Sequence, residues 1–332
     1  MPEIRIDPLS GHRTIVAGER SRRPGGGPGE QVMSPEPIDR ERDPFAEGHE
    51  DRTPPELYAV RPDGSPPDSP GWTVRVVRNL YPALGPPSEE SEISATARNS
   101  SELFTALPAS GAHEVIINAA QPVHSLAELP AEQVAAAMEV WRERMLLHSA
   151  SAYVQLIVNE RREAGASLPH THAQLYALDF VPAAVARERE RFGAYTTRTM
   201  GQNLLGDLVA EEVRLDERIV AIDDEAVLMA PYASRLPYQL MLAPRAPRAR
   251  FEDPGPSGAA LLHDGLRRLA RLLGSSPPLN LWIRTAPRGV DRFCWRIDVL
   301  PRLTHLAGLE LSTDVNLNIV SPEHAAALLR EV

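Results

Sequence analysis

The segment N-E-R-R-E-A-G-A-S-L-P-H-T-H-A-Q, residues 159–174, holds the residue types and spacing best suited to chemistry. His170 and His172 are two apart, and Gln174 follows at the same interval. On a β-strand, residues two apart point to one face. Such a strand would carry two imidazoles and an amide in a row. Upstream, Gly165 and Ser167 stand where backbone N–H groups can approach an anion. Together these suit substitution at phosphorus: a neutral imidazole attacks while the amide holds a phosphoryl oxygen. An isolated H-x-H also reads as a pair of surface or metal-binding histidines in a loop, and these residues alone leave both readings open.

The elements that must position this segment are legible from periodicity. T-V-R-V-V-R-N (73–79), H-E-V-I-I-N-A (113–119), Y-V-Q-L-I-V-N (153–159) and Q-L-Y-A-L-D-F (174–180) read as strands. R-T-I-V-A (13–17) reads as a further strand, while 24–30, 34–44 and 85–102 read as loops. Residues 129–152 predict a helix with Pro130 near its first turn and an apolar stripe at Val134, Met138, Trp141 and Met145. The plan repeats further on. Strands are expected at 226–231, 238–244, 279–285 and 293–300. A helix over 257–274 has Ser257 as N-cap and Gly274 as its stop, and a last helix starts at Ser321 with Pro322 behind it. Strand, strand, helix, strand, strand thus occurs twice, an internal duplication. Hairpin connections with one helix per half favour antiparallel sheet and an α+β class.

Composition bounds the function. The 332 residues suit two domains, or one domain duplicated. No apolar run reaches the roughly 18–20 residues of a membrane helix. The opening M-P-E-I-R-I-D-P-L-S-G-H-R has no apolar core of the kind a secretory signal carries, so a cytoplasmic protein is expected. The formal net charge of −10 argues against a nucleic-acid partner. The single cysteine, Cys294, excludes an intramolecular disulfide and a multi-cysteine zinc cage. Lysine is absent, so any cation meeting a phosphate is Arg or His, and lysine nucleophiles are excluded.

The string G-x-S-x-P-H-x-H-x-Q resembles the signature of the galactose-1-phosphate uridylyltransferase branch of the histidine-triad superfamily. The resemblance runs along most of the chain, through R-I-D-P-L-S-G-H-R-T-I-V-A (5–17), E-R-S-R-R-P (19–24), D-P-F-A-E-G-H-E-D-R-T-P-P-E (43–56), N-L-Y-P-A-L (79–84), H-E-V-I-I-N (113–118) with His124-Ser125, and W-R-I-D-V-L-P-R-L-T-H-L-A-G-L-E-L (295–311). It implies two tandem histidine-triad-like domains, each an antiparallel sheet with a helix packed on it. Residues 1–190 would carry the catalytic motif, and 191–332 would lack the catalytic histidines. His172 takes the place of the nucleophile that forms a covalent nucleotidyl-histidine, and Gln174 that of the glutamine on the transferred phosphoryl group. Asn159, Gly165 and Ser167 match phosphate-contacting positions, with Ser167 counted in the catalytic set. Arg20, Arg23 and Asn79 match residues near the nucleotide. A homodimer is expected on the same ground.

The chain also departs from the family. The two zinc cysteines of C-P-F-C are replaced by Asp43 and Ala46, whereas His124 and His170 match the two histidine ligands. Asp43, His124 and His170 are therefore the candidate ligands of one zinc at a reduced site, with His49 or Glu47 as a fourth. Equally, the metal is lost and His170 is hydrogen-bonded within its loop. At the family's second metal site Glu188 survives, but the three histidine positions read Arg284, Cys294 and Arg296. Guanidiniums repel a cation, so this metal is expected to be absent and Glu188 to pair with Arg296, Arg284 or both. In the sugar-recognition segment (308–314), Glu310 and Asp314 are candidates for a hydroxyl contact.

The function implied is a nucleotidyltransferase acting on a nucleoside diphosphate sugar and a sugar phosphate. The alternatives are a phosphorylase or hydrolase of a nucleoside diphosphate sugar or dinucleoside polyphosphate, with phosphate or water as acceptor, and a non-catalytic nucleotide-binding protein.

Overall fold

The computed structural model of the chain describes residues 2–18, 32–86 and 103–332. Arg20, Arg23 and most of the loops expected at 24–30 and 85–102 lie outside these residues. Strands β3 (Glu56–Val60), β4 (Val74–Arg78), β5 (Gly111–Ile117), β6 (Tyr153–Glu160) and β7 (His172–Leu178) form one half of a ten-stranded sheet. Strands β8 (Ile219–Ile222), β9 (Ala226–Met229), β10 (Leu240–Pro244), β11 (Leu279–Arg284) and β12 (Arg296–Pro301) form the other. The spatial order is β3-β4-β5-β7-β6-β11-β12-β10-β9-β8. Counted inward from its edge, each half runs first, second, third, fifth, fourth. The halves meet at the antiparallel β6·β11 pair, where Asn159 faces Asn280 and Ile157 faces Trp282. All pairings in this sheet are antiparallel, and the fold is α+β as expected.

Helices α1 (Ala131–Leu147), α4 (Ala259–Leu273) and α6 (Pro322–Arg330) cover one sheet face. In α1, Val134, Ala137, Met138, Trp141 and Met145 are buried at helical spacing. Each such side chain contributes about 1.5–3 kcal/mol of apolar burial. They pack with Leu156, Val158, Ala173, Leu175 and Ala177, the inward-facing residues of β6 and β7. That alternation fixes the register: with Ala173, Leu175 and Ala177 committed to the core, His172, Gln174 and Tyr176 must face the other way. Over the C-terminal half the second face is covered by α2 (Ala183–Arg198) and α3 (Leu204–Leu215). A separate three-stranded sheet joins β1 (Glu3–Ile6), β2 (Arg13–Val16) and β13 (Asn316–Asn318), with α5 (Gly308–Thr313) just before β13. No helix among the described residues is long and apolar enough to cross a membrane.

Several element ends differ from the sequence reading. Pro130 is the N-cap of α1, and Gly258 in the left-handed region, not Ser257, caps α4. The strand expected at 174–180 spans 172–178, because Ile117 of β5 pairs with His172 and carries the ladder back to it. His170 therefore precedes the strand and does not share its face. Helices α2 and α3, strands β1, β3, β8 and β13, and α5 were not foreseen.

Candidate active site

His172 opens β7, and its ring is nearly buried, 5% exposed. Its Nδ1–H donates to the His170 carbonyl at 2.8 Å. That bond fixes the tautomer and leaves the Nε2 lone pair with no hydrogen-bond partner among the described residues. The edge of Phe45 rests against the ring, with centroids 5.2 Å apart. Burial pushes the His172 pKa below the usual histidine value, the neighbouring His170 pushes the same way, and the bond to the carbonyl and the charge of Asp43 oppose it. The net result is a neutral, correctly protonated imidazole near pH 7. The segment before it is pinned on both sides. Asn118, buried, donates through Nδ2 to Thr171 Oγ1 at 3.2 Å and accepts at Oδ1 from the Trp141 indole at 3.0 Å. The Thr171 N–H donates to the Val123 carbonyl at 2.8 Å.

Gln174, on the same face, accepts at Oε1 from the Tyr176 hydroxyl at 2.9 Å and lies 3.1 Å from His113 Nε2. Asn159 sits beside this row on β6. Its Oδ1 accepts from Asn280 Nδ2 at 2.8 Å, and Asn280 also donates to the Ala164 carbonyl at 2.7 Å while accepting from Arg302 at 3.1 Å. The C-terminal half thereby fixes the Asn159 amide and the 162–164 turn, with the Asn159 amino group turned away from that bond. Asn79 lies across β5 with Oδ1 accepting from the Tyr81 N–H at 2.8 Å and Nδ2 3.1 Å from His113 Nε2.

The Gly165 loop is less available to an anion than its sequence suggests. Gly165 adopts φ 91°, a left-handed conformation that favours glycine. Its N–H donates to the Arg162 carbonyl at 2.9 Å, and the Ala166 N–H to the Arg161 carbonyl at 3.1 Å. These backbone donors close the loop's own turn. Ser167, in the same loop, is exposed.

Of the candidate zinc ligands, the structure brings Asp43 and His170 together but not His124. Asp43 Oδ2 is 2.7 Å from His170 Nδ1, and His170 Nε2–H donates to the Ala119 carbonyl at 2.8 Å. Asp43 Oδ1 accepts from the Phe45 N–H at 3.0 Å. Both carboxylate oxygens and both ring nitrogens are thus engaged. His124 Nε2 donates to the Glu36 carbonyl at 2.8 Å. His49 is tied to the Asp43 carbonyl at 2.8 Å and Glu47 to the Gly71 N–H at 2.8 Å, so neither reaches in as a fourth ligand. Among the described residues no group of three His, Cys, Asp or Glu is placed to hold a metal. The residues present do not fit a tetrahedral zinc site.

Glu188 pairs with both Arg296 and Arg284, the pairing expected from the sequence. Arg296 grips Glu188 with both Nη atoms, at 3.0 and 3.1 Å, and its Nε donates to Asp298 at 3.0 Å. Arg284 Nε lies 3.4 Å from the same Glu188. Burial pushes Glu188 upward, but Arg296 and Arg284 outweigh it and hold the carboxyl below its usual range. Cys294 is buried, and its thiol is pushed up to about 11, chiefly by that burial. Neither a protonated thiol nor two guanidiniums can take up a cation.

Sequence reasoning missed His113, Tyr176, Asn280 and Arg302. Strand parity would have found His113 and Tyr176 once β5 and β7 were paired, since His113 stands opposite Tyr176. Asn280 and Arg302 become visible only when β6 meets β11.

The duplicated α+β sheet thus carries, in its N-terminal half alone, a buried imidazole and an amide on a single strand face. Residues 1–182 match the N-terminal domain of galactose-1-phosphate uridyl transferase, and the chain belongs to that family. It is 29% identical over 345 residues to the ADP-glucose phosphorylase of Arabidopsis thaliana, covering 100% of this chain and 93% of that one. It is 26% identical over 302 residues to the galactose-1-phosphate uridylyltransferase of Haemophilus influenzae, covering 89% and 82%. The crystal structure of an Arabidopsis thaliana ADP-glucose phosphorylase with bound ADP-glucose superposes with a TM-score of 0.80 at 25% identity, covering 100% of this chain and 99% of that one.

Proposed function

We propose that the protein transfers a nucleotidyl group from a nucleoside diphosphate sugar to a sugar phosphate through a covalent nucleotidyl-His172 intermediate. The observation that carries this reading is the His172 ring, with Nδ1–H on the His170 carbonyl and Nε2 unengaged beside Gln174. The Nε2 lone pair attacks the α-phosphorus. An N–P bond forms and the P–O bond to the sugar phosphate breaks, its electron pair leaving with the departing oxygen. The second substrate's phosphate oxygen then attacks the same phosphorus, and the N–P electrons return to Nε2. The Nδ1–H stays on the His170 carbonyl throughout, stabilising the charge the ring acquires. Gln174, Asn159 and Ser167 donate to phosphoryl oxygens as their charge develops. Arg20, Arg23 and Asn79 serve the nucleotide end.

A second reading is supported by the full-length likeness to ADP-glucose phosphorylase: ADP-glucose as donor and inorganic phosphate as acceptor. The first half-reaction is common to both. One experiment separates them. The protein is incubated with UDP-glucose or ADP-glucose labelled in the nucleotide, and acid-labile label on protein is measured, then chased with a sugar 1-phosphate, with phosphate, or with buffer. Label on wild type and none on His172→Ala is expected. Label that persists in His172→Ala overturns His172 as the nucleophile, and no label from either donor overturns the reading and leaves a nucleotide-binding protein. Release by the sugar phosphate alone identifies the transferase, by phosphate the phosphorylase, and in buffer a hydrolase.

Neither family metal takes part in this proposal, because Asp43, His170 and Glu188 are each committed to a protein partner. Metal analysis of protein purified without chelator is expected to show no stoichiometric metal. A cytoplasmic homodimer is proposed on the family resemblance, and sedimentation equilibrium tests the dimer.

A further inference from the structure

His113 stands on β5 directly opposite Tyr176 on β7, and it is buried, 7% exposed. Its ring stacks on the Tyr176 ring with centroids 4.1 Å apart and planes 27° apart. The backbone N–H of Ala83 points at Nδ1 from 3.1 Å. A backbone N–H can only donate, so Nδ1 holds the lone pair, and in the neutral ring the proton sits on Nε2. Burial pushes the His113 pKa below the usual histidine value, against the opposing bond to Gln174, so the ring is neutral near pH 7.

Two groups lie 3.1 Å from that Nε2–H, Gln174 Oε1 and Asn79 Nδ2. The Asn79 amide is fixed the wrong way round to accept, because its Oδ1 already takes the Tyr81 N–H. Gln174 Oε1 is therefore the acceptor, and it also receives the Tyr176 hydroxyl. Two donors converge on one carbonyl oxygen. A flipped amide would set its amino group against the His113 N–H, whereas the Tyr176 hydroxyl could turn and accept from it, so His113 is the group that closes the flip.

We infer that His113 is a positioning residue for the reaction: it locks the Gln174 amide with its oxygen inward and its amino group toward the phosphoryl oxygens at His172. The amino group has no protein partner among the described residues. In the reverse orientation the amide would present an oxygen to an anion and repel it. The inference rests on the nucleotidyl-His172 reading above and gives a function to a histidine that reading leaves unused.

The test is a double-mutant cycle on the single-turnover rate of protein nucleotidylation, with UDP-glucose and ADP-glucose as donors. Gln174→Ala is expected to slow the step by about 10²–10³-fold, as for loss of one oxyanion donor. His113→Phe keeps the stack on Tyr176 but deletes the N–H, and it should slow the same step by about 10- to 100-fold, in kcat and not in KM. On the Gln174→Ala background His113→Phe should cost nothing further. His113→Gln, which restores an N–H donor, should recover most of the loss. A residue of purely structural importance would slow both backgrounds equally. Thermal melts establish that each variant folds, and His113→Leu, which also lacks the N–H, enters the same cycle if the phenylalanine variant does not. Labelled wild type with losses that multiply in full, or with His113→Phe at the wild-type rate, overturns the anchoring and leaves the nucleophile standing. Unlabelled wild type removes the nucleophile and the anchoring together.

Discussion

The Arg296 cluster makes the most quantitative prediction. Its guanidinium gives two hydrogen bonds to Glu188 and one to Asp298, all between 3.0 and 3.1 Å. The three residues are 4%, 3% and 4% exposed, so water cannot replace what is removed. Arg296→Met deletes the charge at nearly constant length. It leaves Glu188 with Arg284 alone at 3.4 Å and Asp298 without its guanidinium. Removing one partner of a buried pair costs about 3–5 kcal/mol, mostly as an uncompensated charge. For a chain of this size the unfolding entropy is about 0.7 kcal/mol/K, so a two-state melt should fall by about 4–7 °C. The loss has a pH signature. The folded-state pKa of Glu188 is depressed in the wild type, so its contribution is present above the unfolded carboxylate pKa and disappears as pH falls through the folded one. In Arg296→Met that depression is relieved. The deficit relative to wild type should therefore be full from neutral pH down to the unfolded carboxylate value of about 4.5 and shrink only below it. Adding Glu188→Leu should recover at least about 2 kcal/mol, because it removes the stranded charge. Calorimetry or urea melts on the four proteins of the cycle measure all of this. A loss for Arg296→Met below about 1 kcal/mol, independent of pH, would show that the cluster is wet and exchangeable, and the reasoning would fail.

Glu160 behaves in the opposite sense. It is buried and its pKa is raised to about 7, burial outweighing the bonds from Ser125 Oγ (2.6 Å) and the Leu126 N–H (2.7 Å). A raised carboxyl costs stability as pH climbs from the unfolded value through 7, so Glu160→Gln should be more stable than wild type by about 3 kcal/mol at pH 8 and indistinguishable below pH 4; urea melts decide. Asp43→Ala strips His170 Nδ1 of its partner and Phe45 N–H of its acceptor; it should lower stability by about 2–4 kcal/mol and slow nucleotidylation, and loss of stability that added zinc restores would revive a metal at this position. Gly111→Ala sets a methyl group against the Ala177 carbonyl at φ 143°; it should destabilise by more than about 2 kcal/mol, measured by thermal melt.

How much of this was legible in the sequence depended on whether the signal was local. The strands around His172 and the helix behind them follow from alternation and from a stripe repeating every three or four residues. Those patterns survive because each buried side chain reports on its own element. α2 hid its stripe: its buried residues are Val185, Glu188 and Phe192, and a charged residue in the middle reads as surface until Arg296 is seen to neutralise it. β13 is three residues long and pairs in parallel with β2, far away along the chain, so no periodicity could announce it. The same distinction divides the site. His172 and Gln174 were readable because a strand's two-residue period puts them in one row. His113 was not, since it acts on Gln174 from a strand 61 residues earlier.

The two departures from the family pattern obey one physical rule. A structural metal immobilises ligands that would otherwise be free to move, and any set of partners satisfying the same atoms can do likewise. At the first position a carboxylate and a carbonyl occupy the two nitrogens of His170, and the ring is 0% exposed. His170 in turn offers its own carbonyl to His172 Nδ1, so whatever holds the first residue steady also holds the tautomer of His172. At the second position a forked guanidinium spans the two oxygens of Glu188 and ties α2 to β12. Fixing Glu188 requires a positive charge with directional contacts, and Arg296 supplies both from a histidine position. Substitution of the ligands thus leaves intact the constraint that matters to His172. That is why an unaltered H-x-H-x-Q row can coexist with ligand positions that no longer suit a cation.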